Sequence, residues 1–274
     1  MMRKLFPKDL RCLSLIAVLA FALQLHTLAE PIPAHHLEGT LHGYLALRSK
    51  EGKVLGVGDL VQIVRGDQVT THLLFRFKDG SIDEETTVFT QRGNFKLISD
   101  HHIQKGTFFP HPMDLSIDAP SGQVTVRSPG NDGKETVATD HMDLPPDLYN
   151  GLIIPIAKNF KPDAPETKVS MIVAAPKPRL VKLAISSRGE EPFFLAGFQR
   201  KALAYEIKIE LGGVAGVVAP MIGKQPPDIQ IWIEGGNVPA FVREEGPLSQ
   251  GSPILSIQPT GPAWPNESHT EAGK

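Results

Sequence analysis

The sequence predicts a mainly β chain: one domain built on a curved antiparallel sheet, a half-barrel or open barrel, with one or two short helices over its concave face. Three observations point there. Gly (25) and Pro (24) are frequent in the 274 residues, which demands many turns and disfavours a helix bundle. Apolar residues alternate with polar ones at the period of two expected of half-buried strands. Turn signals recur at roughly 8–14 residues, the spacing of a meander and not of alternating βα units. With 41% hydrophobic and 21% charged residues the composition is that of a globular protein.

The elements follow in order. Arg3, Lys4, Lys8 and Arg11 precede a 14-residue apolar run from Cys12 to Leu25, and Thr27-Leu28-Ala29 fits a small-x-small cleavage site. This predicts a secretory signal over residues 1–29; the run is short for ~30 Å of hydrocarbon, and an uncleaved N-terminal anchor is the alternative. Cleavage would remove Cys12, the one cysteine, and leave 24 basic against 29 acidic side chains. The expected product is exported, periplasmic or extracellular, free of disulfides and without a stable membrane span.

From Gly39 to about Val137 the pattern is strand and turn. Leu73, Phe75 and Phe77 share one face of a strand, His72 and Arg76 the other, and Lys78-Asp79-Gly80-Ser81 supplies a hairpin turn. Arg92-Gly93-Asn94, Pro120-Ser121-Gly122 and Asn131-Asp132-Gly133 repeat the punctuation. At Leu144-Pro145-Pro146-Asp147 the rhythm changes. Leu148, Leu152, Ile153, Ile156 and Phe160 recur at helical spacing, predicting an amphipathic plug or lid helix that Pro155 kinks or ends. Strands resume with Val169, Met171 and Val173, then Val181, Leu183 and Ile185. Tyr205 to Leu211 alternates without a break. Ile229 to Ile233 pairs with Val238 to Val242 across Gly235-Gly236-Asn237, where Pro239 suggests an edge strand. The expected domain spans 30–257, with a disordered tail over 258–274.

Most chemistry is poorly supported. The near-neutral balance offers no footprint for nucleic acid. His101, His102, His111, Asp114, Asp140 and His141 match none of the usual zinc spacings, so no metal is expected. No G-x-S-x-G elbow is present, and Gly56-Val57-Gly58, Gly212-Gly213-Val214-Ala215-Gly216 and Gly223-Lys224-Gln225 are fragments of nucleotide motifs without their context, so no cofactor and no catalytic residue is assigned. Asp83-Glu84-Glu85 and Glu190-Glu191 read as solvated turn or strand ends. The most informative stretch is Gly212 to Gly223, where Val214, Val217, Val218, Met221 and Ile222 leave almost no polar face on a short helix, so it must be covered by core, ligand or membrane. Trp232 leaves its strand opposite Ile229, Ile231 and Ile233, a poor choice for plain solvent. Val214, Val217, Val218, Met221 and Trp232 are therefore the expected ligand-binding residues.

An exported signal, a β meander, a mid-chain helix and the final hairpin, Gly223-Lys224-Gln225-Pro226-Pro227-Asp228-Ile229 through Trp232, Gly235-Gly236 and Pro239-Ala240-Phe241-Val242, resemble the half-barrel proteins of the bacterial envelope, including the LolA-like lipoprotein carriers and uncharacterised exported families. The resemblance implies a curved sheet whose concave face can hold an acyl chain; the arginine by which lipoprotein carriers hold their ligand has no counterpart here. The expected function is non-enzymatic: binding of a lipid or other apolar small molecule, or of an envelope protein. The alternative is a secreted hydrolase-like enzyme with a site assembled from distant His, Asp and Ser residues.

Overall fold

The computed structural model describes residues 31–130, 134–160, 163, 166–175, 177–210 and 227–262. Contacts divide the chain between Glu30 and Pro31, and every described strand belongs to the second unit. Residues 1–29, where a signal is expected, and the apolar stretch Gly212 to Gly223 lie outside the described residues.

Among the described residues fourteen strands form a single antiparallel sheet, so the mainly β, open curved architecture is what the chain adopts. A first meander runs through β1 (Leu41–Ser49), β2 (Val54–Arg65), β3 (Gln68–Phe77), β4 (Ile82–Thr90), β5 (Lys96–Lys105), β6 (Met113–Asp118), β7 (Gln123–Pro129) and β8 (Glu135–His141). A second runs through β9 (Thr167–Ala175), β10 (Lys177–Leu195), β11 (Phe198–Glu210), β12 (Ile229–Glu234), β13 (Ala240–Pro247) and β14 (Ile254–Thr260). The two join where β14 pairs with β1, with Leu47 opposite Ile257, which leaves β8 and β9 as the free edges. The sheet curls until β10 approaches β7 and β8.

The segment between β8 and β9 plugs this seam. Among its described residues only Ile153–Ala157 is helical (α1), shorter than the periodicity predicts. The reason lies just upstream. Tyr149 donates its backbone N–H to the Ser170 carbonyl, and Ser170 donates to that of Asp147. The Asn150 side chain takes the Ile172 N–H at 2.8 Å and donates to the Ile172 carbonyl at 2.9 Å. Residues 147–150 thus satisfy the edge of β9 that would otherwise stand unpaired. Gly151, at φ +67°, then turns the chain, and its missing Cβ would lie 1.9 Å from Thr87 Oγ1. Pro155 falls in the first helical turn, where an N–H has no intrahelical partner, so it neither kinks nor ends α1.

Leu148, Tyr149, Leu152 and Ile156 are fully buried against Phe89, Phe95, Leu115 and Val124 from one meander and Ile172, Ile207 and Ile231 from the other. A second apolar cluster, Leu45, Leu47, Phe75, Phe77, Phe109, Leu255 and Ile257, is centred on the β1–β14 join. Two expectations at the C-terminal side are corrected. Pro239 precedes β13, which lies between β12 and β14 and not at an edge; outside the ladder, the missing N–H removes no bond. β14 carries the sheet past Ile257, pairing Gln258, Pro259 and Thr260 with Ala46, Leu45 and Tyr44.

Candidate ligand-binding cavity

The concave face holds an open-mouthed cavity of about 2170 Å³. Its walls are set by strand parity. Leu60 and Gln62 of β2 face inward, and Gly58 beside them has no room for a side chain: a Cβ there would lie 2.5 Å from the Phe75 ring. The glycines of Gly56-Val57-Gly58 therefore serve packing. On β4, Asp83, Glu85, Thr87 and Phe89 share the inward face. On β5 a bulge opposite Val88 and Phe89 adds one residue, so that Leu97 and then Asp100, His102 and Gln104 all point inward although their parity differs.

The register turns these positions into rows. Leu60, Leu73, Glu85, His102, Leu115 and Val126 follow one another across six strands. Beside that row run Gln62, Thr71, Thr87 and Asp100, and on its other side Phe75, Asp83 and Gln104. A compact ionic patch is thereby set into an apolar wall.

His102 Nε2 donates to Asp83 Oδ1 at 2.6 Å, and its Nδ1 lies 3.8 Å from Glu85 Oε1. Gln104 Nε2 donates to Asp83 Oδ2 at 3.1 Å and to the Leu248 carbonyl at 2.9 Å. Thr87 Oγ1 donates to Asp100 Oδ1 at 2.9 Å, while the buried Asp100 Oδ2 has no hydrogen-bond partner. Glu244, between Ile231 and Ile257 on its neighbouring strands, faces Glu85 and Asp83.

Burial by itself lowers the His102 pKa, but Asp83, Glu85 and Asp100 outweigh it and raise the imidazole to about 10. These carboxyl groups favour the imidazolium form of the ring at neutral pH. Burial raises Glu85 against the opposing pull of His102, and burial together with Glu85 raises Asp100 well above its ordinary value. Burial, then Glu85 and Asp83, push Glu244 up to about 7. A separate ion pair closes another part of the wall. Lys158 Nζ lies 3.0 Å from both Glu38 oxygens, and Gln62 donates to Glu38 at 3.2 Å. Asn159 accepts the His35 and His36 N–H groups at 2.8 and 2.7 Å and so ties this N-terminal segment to the end of α1.

Two sequence expectations fail here. Asp83 and Glu85 are not solvated strand ends: they share parity with Phe89, and that alternation was the signal for their burial. Trp232 does not line the cavity. It lies on the opposite face, packed with Ala202, Ala204, Phe193 and Val242, with Arg243 4.0 Å over its ring and Nε1 donating to Glu191 at 2.8 Å. The parity that buries Ile231 and Ile233 sends it there. Val214, Val217, Val218 and Met221 lie outside the described residues. Among the described residues, the other histidines join no cluster of metal-ligating groups. His101 leaves β5 on the outer face and pairs with Asp114 at 3.0 Å, and no group of metal-ligating side chains occurs among the described residues. Ser170 Oγ, Lys182 Nζ and Asp147 are mutually hydrogen-bonded at 2.7–3.0 Å, but Ser170 and Asp147 are fully buried, so this cluster locks the plug to β9. No helix among the described residues is long and apolar enough to cross a membrane.

No protein-family model and no curated protein matches the chain. Two solved structures are similar to it. The hypothetical lipoprotein YmcC from Escherichia coli (K12) shares 11% identity at a TM-score of 0.36, covering 96% of this chain and 100% of that one. A beta-barrel-like protein of domain of unknown function DUF1849 from Brucella abortus shares 9% identity at a TM-score of 0.44, covering 81% and 97%.

Proposed function

We propose that the protein is an exported, non-enzymatic binder of an apolar-chain ligand, in the manner of the LolA-like half-barrels. The observation that carries this is the cavity itself. At about 2170 Å³ it exceeds the ~300–1,000 Å³ usual for small-molecule pockets, and Leu60, Leu73, Phe75, Leu115, Ile153 and Ile154 line it. A largely apolar space of this size has the capacity for an alkyl chain; the polar groups grouped in its wall would orient one end. Titration with the neutral probe diphenylhexatriene tests the reading. Saturable fluorescence is expected, and Leu73→Asp, which sets a charge in the apolar wall, is expected to weaken it. Absence of saturable binding by the parent protein would overturn the proposal.

An envelope protein as partner has one observation in its favour. Beyond the residues that pair with β9 and β12, the β10–β11 hairpin continues as a two-stranded ribbon, and at its tip Phe194 and Phe198 are 71% and 76% exposed beside Leu195. Trp232 anchors the base of that ribbon through Glu191. Crosslinking from position 194 in the exporting host tests this reading; capture of no envelope protein would exclude it.

A further inference from the structure

The apolar walls do not explain the charges set among them. Three strands contribute four inward carboxyl groups, Asp83 and Glu85 from β4, Asp100 from β5 and Glu244 from β13, and His102 is the cation placed among them. Its Nε2 is taken by Asp83, and Glu85 is at 3.8 Å from its other ring nitrogen. Asp100 is 2% exposed, faces the same side as His102, and its Oδ2 has no partner. Lys158, another cation of the cavity wall, is committed to Glu38 with both oxygens at 3.0 Å. A buried cluster with more carboxyl groups than cations is costly unless something compensates it, and a further cation does so best. The register places this unmatched patch directly beside alkyl side chains: Leu73 lies next to Glu85 and Leu115 next to His102.

We propose that the cavity selects an amphiphile whose polar end is cationic, an alkylammonium group seated against Glu85 and Glu244, with Asp100 behind them, and its chain along Leu60, Leu73 and Leu115. This rests on the apolar-ligand reading above and adds the headgroup to it. Anionic heads meet carboxylates of their own sign, and neutral heads leave the patch uncompensated.

Three ten-carbon probes differing only at the head, decylamine, decanol and decanoate, separate the possibilities by calorimetric titration of the full protein at pH 8. Decylamine is expected to bind about tenfold or more tighter than decanol, and decanoate weakest. Glu85→Gln with Glu244→Gln should collapse the amine-to-alcohol ratio to within about threefold, and Glu244→Gln alone should lower it part of the way. The single variant keeps the test decisive if the double variant melts. Equal binding of all three probes, or an amine preference that survives the substitutions, would overturn the headgroup assignment and leave the cavity reading standing. Failure of every probe to bind would overturn both.

Discussion

Glu244→Gln is expected to stabilise the protein above neutrality and to leave it unchanged in acid. Glu244 sits between Ile231 and Ile257 on adjacent strands and faces Glu85 and Asp83, and burial followed by these two charges lifts its pKa from 4.5 to about 7. The folded state therefore holds this proton more tightly than the unfolded chain. Below pH 4.5 the group is protonated in both states and costs nothing. As pH rises from 4.5 to about 7 the unfolded chain gives up the proton first, and folding loses about 1.4 kcal/mol per pH unit, about 3 kcal/mol in all, less whatever screening water in the cavity provides. Glutamine has the same shape and no charge to bury. The difference between variant and parent in urea denaturation should be near zero at pH 4.5, grow through pH 6, and reach a plateau of up to about 3 kcal/mol at pH 8. In a domain of this size that corresponds to a midpoint rise of roughly 6–12 °C. A difference independent of pH, or a destabilised variant at pH 8, would refute the reasoning.

Other substitutions probe the same architecture. His102 is raised to about 10, so its stabilising contribution is complete below pH 6.5 and is lost as pH climbs through 10; His102→Gln strands Asp83 and Glu85 and should cost about 3–5 kcal/mol at pH 7 by urea denaturation. Gly151→Ala places a Cβ 1.9 Å from Thr87 Oγ1 in a positive-φ position and should lower the thermal midpoint by more than ten degrees, roughly the effect of a loss above 3 kcal/mol. Tyr149→Phe removes the hydroxyl that accepts the Ile32 N–H at 2.7 Å and should cost about 1–3 kcal/mol in the same assay. Trp232→Phe loses the bond to Glu191, about 1 kcal/mol, yet should leave diphenylhexatriene affinity unaltered, because the ring lies on the far side of the sheet.

What could be read from the chain was whatever alternation alone decides. Phe75 and Phe77, Tyr205 and Ile207, and Ile231 and Ile233 are buried on the faces their parity indicates. The turn at Asp79-Gly80 is where expected, with Gly80 at φ +88°. The plug departs from the helix its spacing predicts because Leu148, Leu152 and Ile156 are buried by insertion into a seam, and burial by insertion carries the same apolar spacing as burial of a helical face. The sequence offered no sign that Asn150 would pair with the Ile172 backbone, since an asparagine satisfies a strand edge only once that edge is beside it. The ionic patch was half legible: Asp83 and Glu85 alternate with Phe89, but the bulge in β5 breaks the parity that would have placed Asp100 and His102 with Leu97. Glu244 joins them through a pairing order that no local pattern encodes.

The β1–β14 ladder has a consequence for how the chain reaches this state. Every other ladder of the sheet joins consecutive strands, so each meander can zip up from local hairpins, whereas Leu47 must find Ile257 after more than two hundred intervening residues. If the chain is threaded across a membrane from its N-terminus, β1 emerges early and β14 last. In the interval β1 presents Leu45, Ala46 and Leu47 on an unpaired edge, the kind of surface that recruits strands from other chains. Closure of this one ladder should therefore be the slow step of folding, and until it closes the nascent protein depends on something else to shield that edge.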